Sequence, residues 1–312
     1  MKKLPSLFWI CLVFFALLFA VKVFSNASKI QSEPLDPVVI ADKRQESFES
    51  DEENLPLLFG NPSNAVKEIS EKNNYLIEKK GYTLSYNASD LIPNWVSWHL
   101  CKSDLGESVR ADNFMPDETL PVEWYAVKKA DYQFKKYGFD RGHVCPSADR
   151  TFDSALNSET FYMTNMIPQT PDLNRNVWKD LESFERNLVL EGNEVYITAG
   201  PFGTGGSSST GTWNEIPLLS NGKENGLSIK VPACCWKIIL ILDDGENDFS
   251  RVNENTSIIA VFMPNIQGIQ LSGGWENFLV SVDYIEEKTG YDFFALLSDE
   301  IEDAIEAKVF ER

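Results

Sequence analysis

Between positions 137 and 186 the chain concentrates residue types that handle phosphate esters. His143 is one of only two histidines, and an unperturbed imidazole titrates near physiological pH, so it can take a proton from water. Forked guanidinium donors, which match the geometry of phosphate, stand nearby at Arg141, Arg175 and Arg186. A single histidine is often structural, but a histidine close in sequence to these arginines predicts a site that hydrolyses phosphodiester bonds.

The same segment offers oxygen ligands for a hard cation. Asn165, Asn174 and Glu182 carry amide or carboxylate oxygens, and Mg²⁺ keeps most of its waters and takes only one or two protein ligands. Asn174, Trp178, Glu182 and Arg186 are spaced by four, so a helix would place them on one stripe. The competing interpretation of Glu182 and Arg186 is an ordinary ion pair between adjacent helical turns.

The elements that must position these groups mix strands and helices without strict alternation, which predicts an α+β fold. Apolar, aromatic and β-branched runs predict strands at 82–86, 95–100, 194–199, 236–242 and 257–263. Asn221-Gly222 is a hairpin turn signal. Helices are predicted at 176–191, at 276–289, and after a cap at Ser298, with Ile301, Ile305 and Val309 on one stripe.

The N-terminus has the pattern of an export signal. Lys2 and Lys3 precede an uncharged apolar run at 7–21, and small residues follow at Ser25 and Ala27. The run fits either a cleaved signal peptide over 1–25 or a retained membrane anchor. We therefore expect an acidic linker over 26–59 and one domain over 60–312. The domain would be exported, and so periplasmic, secreted or held on the outer face of the membrane.

The formal charge of −19 counts against tight nucleic-acid binding, because such affinity comes from neutralising phosphates. The acidic residues are concentrated towards the two ends of the sequence. Residues 31–60 carry eight acidic and two basic residues, and residues 281–312 carry ten and three. Residues 121–190 are nearly balanced, with ten and nine. An enzyme that turns over also needs no tight hold on its ground-state substrate.

Cysteine usage leaves two interpretations open. Beyond the apolar run the chain has Cys101, Cys145, Cys234 and Cys235. Export would permit a Cys101–Cys145 disulfide, whereas small buried hydrophobic side chains are the other interpretation. Cys234 and Cys235 are adjacent, so a strand would point them to opposite faces. With two histidines and no Cys-x-x-Cys spacing, a structural zinc site is not expected.

The run Asp140-Arg141-Gly142-His143 resembles the Asp-Arg-Gly-His signature of the DNA/RNA non-specific endonucleases, which are ββα-metal nucleases. Segments 164–169, 172–176 and 178–182 follow in the order and spacing of the family, as do the outlying blocks 94–98, 263–265 and 289–294. The resemblance covers residues 60–312 and is closest to sugar-non-specific nucleases of cyanobacterial type. It implies a central, mostly antiparallel sheet flanked by helices.

The resemblance also implies a role for each matching residue. His143 would be the general base, and Asn174 the single direct protein ligand of Mg²⁺ or Mn²⁺. Glu182 would hold water bound to the metal, and Asn165 would help to fix the orientation of the base. The residues implied to contact phosphate or the transition state are Arg110, Arg141 and Arg186. Cys145, two positions after the base, has no counterpart that we expect in the family.

The function implied is metal-dependent, sequence-non-specific cleavage of DNA and RNA to 5′-phosphate and 3′-hydroxyl ends. The expected partners are DNA and RNA, a dedicated inhibitor protein, and a membrane bound through residues 7–21. One alternative is a catalytically weak, surface-tethered nucleic-acid receptor. Another is a phosphodiesterase of small nucleotides, which would hydrolyse mononucleotide esters but not long polymers.

Overall fold

The long apolar runs of the chain pair side by side in one antiparallel sheet. The computed structural model describes residues 55–311. The strands are β1 (Tyr75–Glu78), β2 (Thr83–Asn87), β3 (Ile92–Leu100), β4 (Asp140–His143), β5 (Met166–Gln169), β6 (Asn193–Phe202), β7 (Gly206–Ser208), β8 (Gly211–Trp213), β9 (Glu215–Ser220), β10 (Lys223–Lys230), β11 (Cys234–Asp243), β12 (Ser257–Pro264) and β13 (Leu279–Val280). The main sheet has seven strands in the order β1-β2-β3-β6-β11-β12-β13. The pairs β4-β5, β7-β8 and β9-β10 form separate two-stranded sheets.

The helices lie along both faces of this sheet. They are α1 (Phe134–Tyr137), α2 (Ser154–Glu159), α3 (Trp178–Leu190), α4 (Asp248–Arg251), α5 (Val282–Thr289) and α6 (Asp299–Glu306). A π-helical turn, Leu173–Val177, runs directly into α3. Short 3-10 turns occupy Leu55–Leu57, Lys102–Asp104, Lys129–Tyr132, Ser147–Asp149, Met163–Asn165, Ile269–Ser272 and Trp275–Phe278. The α+β prediction, with a mostly antiparallel sheet, is therefore confirmed.

Two hydrophobic cores sit on the opposite faces of the sheet, because successive side chains of a strand point to opposite sides. In β11, Cys235 and Ile239 join the core that also holds residues of α3 and β5. Trp236 and Leu240 join the core that holds α5 and α6. We call these the α3 face and the C-terminal face. Because both faces are covered, the central strands are apolar on both sides.

The five predicted strands and the hairpin turn agree with the structure. Strands β2, β3, β6, β11 and β12 cover the predicted runs. Asn221 and Gly222 connect β9 to β10 with positive φ angles of 52° and 76°, as a type I′ turn requires.

The helix predicted over 276–289 is wrong in its first half. Leu279 and Val280 pair with β12 as strand β13. Helix α5 begins only after Ser281, whose hydroxyl accepts a hydrogen bond from the amide of Tyr284. The helix after Ser298 exists but ends at Glu306, and Val309 is half exposed. In the first place strand pairing overrides the apolar spacing, and in the second the predicted cap Ser298 precedes the helix without a side-chain capping hydrogen bond.

The predicted N-terminal segments lie mostly outside the described residues. The signal or anchor over 1–25, and residues 26–54 of the predicted linker, are not among them. Leu58 and Phe59, which fall at the end of that linker, are buried in the core of the C-terminal face. Within 55–311, no helix combines the length and the apolar character needed to cross a membrane.

The four described cysteines are free thiols, so the Cys101–Cys145 disulfide does not form in this structure. Cys145 is buried in the core of the α3 face, which fits the second interpretation, a small hydrophobic side chain. Burial raises the pKa of its thiol well above the ordinary value. Cys145 is therefore not poised to act as a thiolate. Cys235 is buried and Cys234 half-buried, as expected for neighbours on opposite faces of a strand.

Candidate active site

His143 is the last residue of β4 and pairs in register with Met166 of β5. Its ring packs edge-on against Phe161, with centroids 4.7 Å apart, and lies tilted against Phe114 at 5.5 Å. Only 7% of the residue is exposed, and no residue within 55–311 forms a hydrogen bond with its Nε2. The two strands and the helix that follows form a ββα unit around an imidazole that has a free nitrogen.

Burial, and then the positive charges of Arg110 and Arg141, lower the pKa of His143 to about 3. The imidazole is therefore neutral at physiological pH, which is the state that a general base needs before the reaction. The two arginines that lower the pKa are also the groups implied to bind phosphate. A bound phosphodiester would offset their charge and move the pKa of His143 back towards its ordinary value.

Gly142 allows close packing beside the base. A Cβ at this position would lie 1.9 Å from Oε1 of Gln169, the residue that ends β5. The glycine before the histidine therefore makes room for a buried side chain of the facing strand, and any larger residue would collide with that side chain. The backbone angles of Gly142 need no left-handed conformation, so its role here is the close approach.

Asn165 fixes the backbone just after the base. Its Oδ1 accepts a hydrogen bond of 2.9 Å from the amide of Cys145, and its Nδ2 donates to the carbonyl oxygens of Cys145 and Thr160 at 2.8 Å. The side chain is fully buried. Asn165 is therefore placed to hold the end of β4, and with it His143, through the main chain.

Asn174 lies in the π-helical turn rather than on the regular helix. Such turns insert one residue and often occur at functional sites. The amide Nδ2 of Asn174 donates a hydrogen bond of 3.0 Å to Asp140. Because the nitrogen faces Asp140, the amide oxygen is the end left to bind a cation. The predicted stripe therefore begins at Trp178, and Asn174 is displaced from it by the π turn.

Arg175, whose residue type suggested a phosphate donor, is paired with a carboxylate in this structure. Its guanidinium donates two hydrogen bonds to the carboxylate of Asp140, one of 2.8 Å from Nε and one of 2.6 Å from Nη2. Asp140 thus bridges Arg175 and Asn174. The first residue of the Asp-Arg-Gly-His run acts as an anchor for the amide of Asn174, a contact that the linear sequence does not reveal.

Arg110 and Arg141 converge on the same aromatic pair as His143. Arg110 lies over the ring of Phe161 at 4.8 Å and donates a hydrogen bond of 2.7 Å to the hydroxyl of Ser147. Arg141 lies over Phe114 at 4.5 Å, and no described residue accepts a hydrogen bond from its buried Nε. Cation–π contacts hold both guanidinium groups beside the imidazole, with donor capacity to spare for an anion.

Glu182 and Arg186 follow one turn apart on α3, but Arg186 is bound elsewhere. It donates a hydrogen bond of 2.8 Å to Asp149, a buried carboxylate that also accepts one from Trp98. Burial raises the pKa of Glu182 to about 7, although the positive charge of Lys237 lowers it in part. Arg186 and Arg110 are also close enough to lower this pKa. Glu182 and Arg110 therefore belong to one electrostatic neighbourhood, which connects α3 to the arginines near His143.

Beneath α3 lies an ion pair that the sequence did not suggest. Lys237 of β11 donates a hydrogen bond of 2.9 Å to Glu185, and both side chains are fully buried. The ammonium also lies over the ring of Trp178 at 4.5 Å. One signal was available, because Lys237 interrupts the apolar run of β11. A charged residue in a buried strand requires a partner, although the sequence does not say which.

These elements define a class: a ββα nuclease fold whose hairpin carries His143 and whose π turn and helix carry Asn174 and Glu182. Comparison with known proteins agrees. Residues 60–300 match the family model for DNA/RNA non-specific endonuclease. A nuclease of Nostoc sp. is 45% identical over 253 residues, covering 81% of this chain and 85% of its own. A nuclease of Syncephalastrum racemosum is 34% identical over 229 residues, covering 70% of this chain and 67% of its own.

A solved structure shares the fold. The crystal structure of the EndoG/EndoGI complex aligns with a TM-score of 0.61 and 23% sequence identity, covering 79% of this chain and 92% of that chain. The protein therefore belongs to the DNA/RNA non-specific endonuclease family. It is a nuclease, an endonucleolytic hydrolase that acts on nucleic acids.

Proposed function

We propose that this nuclease is a divalent-metal-dependent enzyme that cuts DNA and RNA without sequence preference and leaves 5′-phosphate and 3′-hydroxyl ends. The observation that carries the proposal is the buried, neutral imidazole of His143, whose free Nε2 lies near two guanidinium groups. A group that accepts a proton beside groups that bind an anion is what in-line attack of water on a phosphodiester requires.

In this mechanism His143 takes the proton of the attacking water on Nε2. Arg110 and Arg141 bind the phosphate oxygens and stabilise the charge that grows on them in the transition state. Asn165 holds the strand end that carries the imidazole, and Arg186, anchored on Asp149, completes the positive side of the site. All these contacts are to the backbone of the substrate, so they carry no information about its bases.

The residues present fit Mg²⁺ or Mn²⁺. Asn174 offers its amide oxygen, oriented by Asp140, and Glu182 offers a carboxylate that would bind the cation through its hydration shell. One direct ligand and an outer carboxylate suit a cation that keeps most of its waters. When bound, such a cation supplies Lewis-acid stabilisation of the leaving 3′ oxygen.

Digestion of plasmid DNA and of RNA by the purified chain tests the proposal. We expect both polymers to be cut in the presence of Mg²⁺ or Mn²⁺, and neither in excess chelator. High salt should inhibit, because phosphate contacts are screened. Strict preference for one sugar, or full activity with chelator, would contradict the proposal. Binding without nicking would instead favour the weak receptor, and cleavage of mononucleotide esters alone would favour the small-nucleotide phosphodiesterase.

Two further parts of the proposal concern location and partners. We propose that residues beyond 30 lie outside the cytoplasm, on the strength of the basic flank and the apolar run at 7–21. A reporter fused after residue 60 should be active only when exported, and an intact Met1 on exported protein would refute cleavage of the predicted signal peptide.

We also propose that an inhibitor protein binds this nuclease, because the solved structure with a similar fold is the EndoG/EndoGI complex, which concerns the inhibition of EndoG.

A further inference from the structure

A second group of acidic side chains lies on the C-terminal face, across the sheet from His143. Asp283 and Glu286 stand one turn apart on α5, and Glu306 ends α6. One carboxylate oxygen from each residue lies within 4.8 Å of those of the other two. Two separate helices thus point three carboxylates at one place.

Glu306 is the unusual member of this group. The residue is only 5% exposed, and its neighbour Ile305 belongs to the core of the C-terminal face. Its Oε1 is buried and has no hydrogen-bond partner within residues 55–311. A buried carboxyl oxygen that is left unpartnered destabilises a fold, unless something else binds it.

Acidic side chains dominate the electrostatic surroundings of Glu306. Burial, and then the carboxylates of Glu286, Glu302, Asp283 and Asp292, raise its pKa to about 9. Within the described part of the chain, these four carboxylates are the charged groups that act most strongly on it. Such a cluster needs either protons or a cation to be stable at neutral pH.

The geometry favours a cation. Oε1 of Glu286 accepts a hydrogen bond of 2.7 Å from the amide of Phe293, which fixes the carboxylate within the cluster. Asp283 is exposed and gives access from solvent. Ca²⁺ takes six to eight oxygen ligands in irregular geometry, often from several carboxylates, whereas Mg²⁺ demands a regular octahedron and retains waters.

We propose that Asp283, Glu286 and Glu306 bind a divalent cation of the Ca²⁺ class at a site separate from the active site. The cation joins α5 to α6 and gives the buried oxygen of Glu306 a partner. It also offsets the acidic excess of residues 281–312. Its role is to stabilise the C-terminal face, because each bound ion adds its binding free energy to that of folding.

Thermal unfolding of the full chain with Ca²⁺, at constant ionic strength, tests this proposal. The measurement is made in an Asn174→Ala background, so that binding at the active site contributes little. At roughly 100 times the Kd, Ca²⁺ should raise the Tm by about 5 to 10 °C. Mg²⁺ should raise it clearly less. No rise with Ca²⁺, or equal rises with both ions, would overturn the proposal, since equal rises indicate general screening.

Variants locate the effect. Glu306→Gln keeps the size of the side chain and removes its charge, so the rise with Ca²⁺ should disappear. Should this buried variant fail to fold, Asp283→Asn, at an exposed position, is expected to lose most of the rise. Glu300→Gln is the matched control, because Glu300 is exposed on the same helix and outside the cluster. A full Ca²⁺ response in Glu306→Gln or in Asp283→Asn would contradict the assignment.

Discussion

The two faces of the sheet treat charge in opposite ways. On the α3 face, acidic and basic side chains alternate in space: Asp140 holds Arg175, Asp149 holds Arg186, and Glu185 holds Lys237. On the C-terminal face, Asp283, Glu286 and Glu306 converge, and the charged groups that act most strongly on Glu306 are all acidic. The acidic excess of residues 281–312 therefore gathers on the face opposite His143.

Under the two proposals made above, one fold would serve two kinds of cation. Where the protein supplies its own positive charges, few oxygens remain for a metal, and an ion bound there keeps waters that can take part in chemistry. Where carboxylates gather alone, an ion would be enclosed by the protein and would act on stability. The comparison can be tested one face at a time.

The largest effect is expected at His143. His143→Ala should leave the fold intact and lower the rate of plasmid nicking by about 10² to 10⁴, the usual contribution of a general base. Added imidazole should restore part of the rate by filling the vacated space. The matched control is His99→Gln, which alters the only other histidine, a partner of Glu194. Near-wild-type activity in His143→Ala would mean that another group is the base.

The buried ion pair should contribute most to the stability of the α3 face. Lys237→Met leaves Glu185 without its partner and should lower the free energy of unfolding by about 3 to 5 kcal/mol, as measured by urea denaturation. Adding Glu185→Leu should recover much of that loss. Lys230→Met breaks a half-exposed pair with Asp90 and should cost less than about 1 kcal/mol. If Lys237→Met and Lys230→Met lowered the free energy of unfolding equally, burial of the Lys237–Glu185 pair would not account for its contribution.

The metal requirement should separate Asn174 and Asp140 from the base. Asn174→Ala removes the proposed direct ligand, so the Mg²⁺ concentration for half-maximal rate should rise and the rate should fall. Asp140→Ala removes the anchor of that amide and should weaken metal binding by about 10- to 100-fold. His143→Ala should leave the half-maximal concentration unchanged. An equal shift in all three variants would show that the roles of base and metal site are not distinct.

The smallest effect is a displacement of the pH profile. Burial and two arginines lower the pKa of His143 to about 3 in the free enzyme, so kcat/KM should fall only on strong acidification. A bound phosphate offsets the positive charges of Arg110 and Arg141 and so raises the pKa of His143. The acid-side fall of kcat, which reports the enzyme–substrate complex, should therefore lie at higher pH than the fall of kcat/KM. Both falls should vanish in His143→Ala. If the two falls coincide in the wild type, phosphate does not lie between the arginines.

Sequence patterns predicted the strands of the sheet better than they predicted the contacts of individual side chains. Apolar runs predicted β3, β6, β11 and β12 because buried central strands must be apolar on both faces. The helix over 276–289 failed because Leu279 and Val280 pair with β12 and Ser281 starts the helix later. The contact of Arg175 with Asp140 was not predicted, for a related reason. Residue type gives the charge of a guanidinium, but the carboxylate that it meets depends on the fold.

The mixture of strand and helix patterns was enough to predict the α+β class, and the resemblance of the segments around Asp140-Arg141-Gly142-His143 was enough to indicate the family. The surroundings of His143 and Asn174 depend on how the chain folds. The aromatic pair that packs against the imidazole comes from residues 114 and 161, and the buried partner of Lys237 lies 52 positions away. Burial, electrostatic shifts and the meeting of Glu306 with α5 arise from contacts between distant segments, and local spacing carries no information about such contacts.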